Sequence, residues 1–207
     1  MKLYVEGGGA SKTLKIACRY GFSEFLSKAG IERKPRIAAC GSRQSAYGDF
    51  CTAIAVGEEA LLLVDSEAPV ASACQKGDVT QWTPWEHLKK RQGDQWTMPE
   101  NAEEDDCHLM VQCMEAWLLA DSKTLQKFFG QGFNIKALPA EGRSIESVDK
   151  EQLYQSIANA TKSCKTKAPY GKGEHSFKLL ALVSSDRVTA ASPWAKRFVD
   201  VVRQKMR

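Results

Sequence analysis

The stretch Leu61-Leu62-Leu63-Val64-Asp65-Ser66-Glu67 decides the fold class of this chain. Its four consecutive apolar residues predict a short strand that is buried on both faces, and the polar residues that follow predict its end. Similar apolar runs occur at 3–5, 37–40 and 109–111, with helical patterns between the first three runs at about 11–29 and 46–56. Apolar strands that alternate with helices predict an α/β fold with a mostly parallel sheet flanked by helices.

The rest of the chain breaks this alternation. Residues 68–106 contain three tryptophans and three prolines, which predict a long crossover or insertion with a short helix near residues 85–91. Further helical patterns lie at 122–129, 150–162, 176–184 and 194–205. We therefore expect an α/β domain at 1–121, which includes the crossover, and a helical C-terminal region at 122–207 packed on it.

The composition excludes several classes of protein. Of the 207 residues, 43% are hydrophobic and 26% are charged, which excludes a largely disordered chain. No apolar run approaches the roughly 20 residues of a membrane helix, and an acid at Glu6 precedes any signal-peptide core. Seven cysteines, an odd number without paired Cys-x-x-Cys motifs, predict reduced thiols. We expect a cytoplasmic protein with no membrane partner.

Acidic residues follow three of the four predicted strands: Glu6 the first, Asp65 and Glu67 the third, and Glu115 the fourth. Ligands of an open parallel sheet bind beyond the carboxyl ends of its strands, so these carboxylates would meet at one edge. Their mutual repulsion disfavours such a cluster unless a cation neutralises it. Carboxylate oxygens suit Mg²⁺ or Mn²⁺.

The closest pair in sequence, Asp65 and Glu67, would point to one face of an extended chain. The sequence therefore predicts a divalent metal site at Glu6, Asp65 and Glu67. Helix capping by these acids, or a ribose contact by the acid after the first strand, remains the alternative.

A strand followed by Glu-Gly, and then an apolar strand that ends in Asp-x-Asp/Glu, resembles the TOPRIM fold. Topoisomerases, bacterial primases and nucleases of the OLD (overcoming lysogenization defect) family share that fold. The segment Cys113-Met114-Glu115-Ala116-Trp117-Leu118-Leu119 is similar to the Phe/Met-Glu-x-Trp-Leu-Leu segment of small TOPRIM-like proteins from bacterial defence islands, including the RloB-like group. The resemblance covers about residues 2–121.

The resemblance implies four catalytic residues. Glu6 looks like the TOPRIM glutamate, Asp65 and Glu67 look like the acidic pair, and Glu115 looks like the later acid of the defence subgroup. This chain departs from the pattern in two ways. Its pair is Asp-x-Glu instead of the commoner Asp-x-Asp, and the loop after Glu6 lacks the acid that often follows a few residues later.

The function that the resemblance implies is a nuclease-type effector of a bacterial antiviral defence system, which would be an Mg²⁺- or Mn²⁺-dependent endonuclease that hydrolyses phosphodiesters. By the same resemblance it would act in a hetero-oligomeric complex with an ABC/SMC-like ATPase subunit. Two alternatives stay open: a catalytically degenerate TOPRIM scaffold that regulates such an ATPase, and a small-molecule phosphohydrolase or nucleotidyltransferase.

The loop Gly7-Gly8-Gly9-Ala10-Ser11-Lys12-Thr13 is not a nucleotide-binding loop, because Ser11 stands where a Walker loop needs glycine. We therefore expect no bound nucleotide cofactor. Its glycines would let the backbone approach a metal-bound phosphate, or they form a permissive turn alone.

Basic residues predict contacts with nucleic acid, with DNA favoured over RNA. Lys12 is a candidate phosphate contact, and a solvated first helical turn is the alternative. A candidate backbone track, for which a solvated loop is the alternative, consists of Lys162, Lys165, Lys167, Lys172 and Lys178 beside Tyr170 and Phe177. A second basic group consists of Arg33, Lys34, Arg36 and Arg43.

Overall fold

The computed structural model describes residues 1–140 and 144–207. Within these residues, four parallel strands form one sheet in the order β2-β1-β3-β4. The strands are β1 (Lys2–Gly8), β2 (Arg36–Gly41), β3 (Ala60–Asp65) and β4 (Cys107–Met110). The protein thus has the predicted α/β fold, with a parallel sheet flanked by helices and a helical C-terminal part.

Both faces of the sheet are buried, as continuous apolar strands require. On β3 every residue is buried, and its side chains alternate between two hydrophobic cores. Leu61 and Leu63 point into the first core, and Leu62 and Val64 point into the second.

The first core lies between the sheet, α1 and the C-terminal helices, and the second lies under α2, α3 and the crossover. Trp82, Trp85 and Trp96 of the crossover are buried in the second core, together with residues of the sheet. The helices in the described residues are α1 (Lys12–Lys28), α2 (Arg43–Ala55), α3 (Pro84–Lys90), α4 (Ala116–Leu119), α5 (Ser122–Phe129), α6 (Lys150–Thr161), α7 (Lys172–Leu180), α8 (Ser185–Ala191) and α9 (Pro193–Lys205). In the described part of the chain, no helix combines the length and apolarity that crossing a membrane needs.

Two C-terminal helices differ from the sequence prediction. The predicted helix at 176–184 corresponds to α7, which begins four residues earlier, at Lys172, and ends at Leu180. The segment Ser185–Ala191 forms α8, which was not predicted, and the Ser184 side chain caps it by accepting from the Arg187 N–H.

The strand order creates a crevice where the site lies. The chain passes from β1 to β2 on one side and then crosses back to β3 on the other. The carboxyl ends of β1 and β3 therefore lie side by side at the point where the strand order reverses. Open α/β sheets bind their ligands at this point.

Candidate metal centre at the carboxyl ends of the strands

Glu6, Asp65 and Glu67, which we call the acidic triad, come from the ends of β1 and β3. The strand β1 extends past the predicted 3–5 to Gly8, and its pairing with β2 is irregular between Val5 and Gly8. Irregularities of this kind re-aim side chains near functional sites. Asp65 is the last residue of β3.

Glu67 reaches the triad in a different way from the one predicted. It is not extended, because its φ of 62° places it in the left-handed region, which is strained for a residue with a Cβ. The turn is fixed by backbone hydrogen bonds, in which Ser66 N donates to Met110 O at 2.9 Å and Glu67 N donates to Gln112 O at 2.8 Å. The turn, and not strand alternation, directs the Glu67 carboxylate towards Asp65.

Each acid of the triad offers one oxygen, and these three oxygens lie within 4.8 Å of one another. Each acid also uses an oxygen in a contact with the protein. Glu6 Oε2 accepts from Asp65 N at 3.1 Å, Asp65 Oδ1 accepts from Met114 N at 2.8 Å, and Glu67 Oε2 accepts from Lys150 Nζ at 2.6 Å. Among the described residues, the second oxygen of each carboxylate has no hydrogen-bond donor, so three oxygens are available to a ligand.

The surroundings of Glu6 and Asp65 disfavour the negative charge of these two carboxylates. Burial raises the pKa of Glu6, although Arg43 opposes this shift. Asp65 is 5% exposed, and burial, followed by repulsion from Glu6 and Glu115, raises its pKa well above the usual range. A bound cation would reverse these effects, because it attracts the charged form of each carboxylate.

Two cations border the triad, and neither was assigned to the site from the sequence. The Arg43 guanidinium lies 3.1 Å from Glu6 Oε2 and donates to Asp65 O. Asp94 holds this guanidinium through two hydrogen bonds of 3.0 and 2.6 Å, and the Trp96 ring lies 5.0 Å away. Arg43 begins α2 directly after β2, and this position at the same edge of the sheet is a signal that could have placed it here.

The second cation, Lys150, is the first residue of α6 and forms the ion pair with Glu67. Burial alone would lower the pKa of Lys150, but the hydrogen bond to Glu67 and the charge of Asp65 raise it. No sequence pattern links Lys150 to residues more than 80 positions earlier.

Glu115 borders the same pocket but belongs to a different network. It is 1% exposed, and three hydroxyl groups lie within hydrogen-bond distance of its carboxylate. One of them, the Ser176 hydroxyl, has a single proton and is also placed to donate it to the Lys172 carbonyl. Tyr154 OH lies 2.9 Å away, Ser176 Oγ lies 3.0 Å away and Tyr170 OH lies 3.4 Å away. Lys172 Nζ lies 4.0 Å from Glu115 Oε1. Both oxygens of Glu115 are thus engaged by the protein, whereas each carboxylate of the triad has one oxygen without a hydrogen-bond donor among the described residues.

A pocket of about 200 Å³, which we call the triad pocket, is lined by two acids of the triad, Glu6 and Asp65, whereas Glu67 does not line it. Its walls also include Glu115, Lys172 and the three glycines 7–9 at the end of β1. A Cβ on Gly8 would lie 2.8 Å from the Lys15 Cα, so glycine is needed there for α1 to approach β1 closely.

The other predicted nucleic-acid contacts are more scattered. Lys172 lies at the triad pocket, whereas Lys12, Lys165 and Lys178 are exposed and do not line it. Lys167 Nζ lies 4.7 Å from the centre of the Phe128 ring.

Comparison with known proteins gives a family but no function. No curated protein and no solved structure matches the chain. A family model described as a domain of unknown function, DUF4276, matches residues 5–203, a range that includes the acidic triad and Glu115. The chain therefore belongs to the DUF4276 family.

Proposed function

We propose that this protein is a divalent-cation-dependent phosphodiester hydrolase of the nuclease type, with a TOPRIM-like arrangement of acids. One observation carries the proposal: three carboxylates at the crevice between β1 and β3 offer oxygens within 4.8 Å of one another. Buried carboxylates repel each other, and nuclease-type hydrolysis is a chemistry that uses a cation held in such a cluster.

The donor set fits Mg²⁺ or Mn²⁺. All three donors are hard oxygens, and Glu6, Asp65 and Glu67 would hold the ion through one oxygen each. A bound ion would supply activation of water and stabilisation of the leaving oxygen. The backbone N–H of Asp65 and that of Met114 orient two of the carboxylates for this task.

Basic groups at the triad pocket would position the phosphate. Lys172 is more than half exposed at the pocket, so its ammonium group can meet an anion from solvent. Gly9 lines the pocket, and a Cβ on it would meet no atom within 4 Å, which leaves room for a phosphate close to the backbone. These residues bind and orient the substrate beside the carboxylates.

The proposed cellular role is that of an effector in bacterial antiviral defence, in the cytoplasm, with a separate ABC/SMC-like ATPase. This part rests on the resemblance alone. Its test is affinity purification of the tagged protein from its native host, in which a stoichiometric ATPase supports the role and purification of the chain alone contradicts it.

A second candidate, a regulatory scaffold without hydrolysis, is favoured by the two protein cations at the triad. Arg43 and Lys150 already neutralise part of the charge of Glu6 and Glu67. In a scaffold these ion pairs would be permanent, and no metal would be required.

Cleavage of nucleic acid by the purified protein tests the proposal. Supercoiled plasmid and single-stranded RNA are incubated with Mg²⁺ or Mn²⁺, with and without a chelator, and cleavage is followed on gels. We expect cation-dependent cleavage that Glu6→Gln and Asp65→Asn each reduce by at least about 100-fold, because loss of a direct ligand exceeds the 10- to 100-fold effect of outer residues. Glu59→Gln is the matched control, because Glu59 is exposed at the opposite end of β3.

The alternatives give different results in the same assay. Cation binding without cleavage of either nucleic acid supports the scaffold. Hydrolysis of free nucleotides, with plasmid and RNA intact, supports a small-molecule phosphohydrolase. Cleavage that persists in both variants contradicts the assignment of the acidic triad.

A further inference from the structure

An open cleft of about 710 Å³ lies beside the edge strand β2, on the side of the sheet away from β3. Its volume is within the range of roughly 300–1,000 Å³ that is typical of ligand sites. Of the described residues, ten line the cleft, and none of them is acidic. Four are basic, namely Lys2, Lys15, Arg19 and Arg36, and we call this feature the basic cleft.

Three of the four cations in the basic cleft are available to a ligand. Lys2 forms an ion pair with Glu58 at 2.5 Å, so its charge is compensated. In the part of the chain that the structure describes, Lys15, Arg19 and Arg36 form no ion pair with an acid. Arg19 and Arg36 are exposed, and Lys15 is half-buried. An uncompensated concentration of positive charge in a concave surface attracts polyanions.

The first turns of α1 line both cavities, through Leu14 in the triad pocket and through Lys15 and Arg19 in the cleft. Lys12, Lys15 and Arg19 are spaced three and four residues apart, so they form one stripe along the helix over about 10 Å. The helix begins at Lys12, next to the glycines of the triad pocket, and the Lys15 backbone contacts the space above Gly8. The stripe therefore starts three residues after Gly9 of the triad pocket and runs along the cleft.

We propose that the basic cleft binds the phosphodiester backbone of a nucleic acid whose scissile phosphate lies at the acidic triad. The inference rests on the proposed function and deepens it, because it states where the substrate enters. A stripe of about 10 Å matches roughly three phosphates of a duplex strand, which follow one another at 3.4 Å along the axis.

Apolar and backbone groups beside the cleft suit the same ligand. Tyr20 is 60% exposed and Ile16 is 51% exposed, and both flank the basic stripe on α1. An exposed aromatic ring beside cations offers a stacking surface for an unpaired base. Among the described residues, the strand β2 pairs only with β1, so the N–H groups on its outer edge can donate to phosphate oxygens.

The C-terminal lysines provide a competing route, because Lys172 lines the triad pocket. The rest of that group is scattered: Lys167 lies over the Phe128 ring, and neither Lys165 nor Lys178 lines either cavity. The basic cleft, by contrast, places three uncompensated cations in one concave surface.

Binding measurements in the presence of a chelator test the proposal without any cleavage. Fluorescence anisotropy with labelled 20-nucleotide DNA and RNA, single-stranded and duplex, gives affinity as a function of salt. The triple variant Lys15→Gln/Arg19→Gln/Arg36→Gln is expected to reduce the slope of log affinity against log salt by about three, one unit for each lost phosphate contact. The same net charge change at exposed lysines of another surface, Lys123→Gln/Lys127→Gln/Lys136→Gln, should change the slope by less than about one.

Each outcome decides for or against the cleft. An equal or larger decrease in slope with Lys165→Gln/Lys167→Gln/Lys178→Gln overturns the proposal, as does wild-type protein that binds no oligonucleotide. If the triple variant fails to fold by circular dichroism, Arg19→Gln alone replaces it, with an expected decrease of about one. If Asp65→Asn loses cleavage but still binds nucleic acid through the cleft, the inference about the cleft is supported. If the triple variant binds and cleaves like the wild type, the inference about the cleft is contradicted while the proposed function is retained.

Discussion

Charge is buried at two places in this protein, and the two differ in how completely it is compensated. Arg197 on α9 is 1% exposed, and its guanidinium donates to three backbone carbonyls, to His108 Nδ1 and to Asp105. At the acidic triad, three carboxylates face two cations, and each carboxylate keeps one oxygen without a partner among the described residues. The protein thus satisfies the charge of Arg197 with its own groups, whereas the acidic triad keeps oxygens that a ligand can use.

This difference separates a structural charge from a ligand-binding one. Buried polar groups that the protein satisfies completely fix the packing of the elements they join, and Arg197 joins α9 to β4 and the crossover. A cluster that is left partly unsatisfied is unfavourable until a ligand completes it. We therefore expect removal of charge to destabilise the protein at Arg197 and to leave the apo protein intact at the acidic triad.

Arg197→Met should have the largest effect on stability. The variant leaves the carbonyls of Val79, Glu104 and Cys107 without their donors, and we expect the free energy of unfolding to fall by about 3–5 kcal/mol. Urea denaturation followed by tryptophan fluorescence measures the change. Lys196→Met on the same helix removes an exposed ion pair with Asp200 and should change stability by less than about 0.5 kcal/mol. A wild-type-like Arg197→Met variant would contradict the structural role.

At the acidic triad, removal of charge should leave the apo protein intact and abolish its response to metal. In Asp65→Asn the amide oxygen can still accept from Met114 N, and the repulsion with Glu6 disappears. Wild-type protein should gain about 2.7 kcal/mol at Mn²⁺ concentrations 100-fold above the dissociation constant, and the variant should gain none. Differential scanning calorimetry should show a shift of about 5–10 °C in wild type and in Glu59→Gln, but not in Asp65→Asn.

Metal-independent melting of the wild-type protein would contradict this expectation. Arg43 and Lys150 would then neutralise the acidic triad without a metal ion, and the triad would be a structural charge, as Arg197 is.

The fold was predictable where one physical signal dominated. The run Leu61–Val64 has to be buried on both faces, and it lies within the central strand β3. The signal was weaker in the C-terminal region. There the apolar pattern at 176–184 combined the end of α7 with the turn after it, and the Ser184 cap that begins α8 has no apolar periodicity.

Glu115→Gln tests to which of the two classes the fourth acid belongs. The Tyr154 hydroxyl donates to one oxygen of this buried carboxylate, and the Tyr170 and Ser176 hydroxyls lie at the other. An amide has one acceptor oxygen and cannot replace both contacts. We expect a loss of about 1–3 kcal/mol in the free energy of unfolding, with Mn²⁺ binding retained by the folded protein. Chemical denaturation and Mn²⁺ titration by electron paramagnetic resonance measure the two quantities, and Glu151→Gln, at an exposed position of α6, is the control.

The opposite result would assign Glu115 to the metal site as a ligand. If Glu115→Gln is as stable as the wild type but binds Mn²⁺ at least about tenfold more weakly, the carboxylate is a direct ligand and its hydroxyl partners are exchanged on binding.

The acids of the site were predictable from the sequence, but the cations were not. Strand ends indicated Glu6 and Asp65 because the carboxyl ends of parallel strands converge. The convergence of Glu67 was predicted from an extended chain, although a turn with positive φ produces it. Lys150 approaches through tertiary packing of α6, and Asp94 reaches Arg43 from the crossover, so no local pattern in the sequence could reveal either contact.

Lys150→Gln should have the smallest effect, and it tests how open the acidic triad is. The Lys150–Glu67 ion pair is partly exposed, so its loss should cost the apo protein at most about 1 kcal/mol. The same change removes a positive charge next to the proposed cation, and Mn²⁺ affinity should therefore rise by about two- to fivefold, equivalent to less than 1 kcal/mol. Calorimetric titration measures the affinity, with Lys162→Gln at the exposed end of α6 as the control. A decrease in affinity would mean that Lys150 orients Glu67 for the metal instead of competing with it, and the ammonium group would then belong to the binding site as a positioning residue.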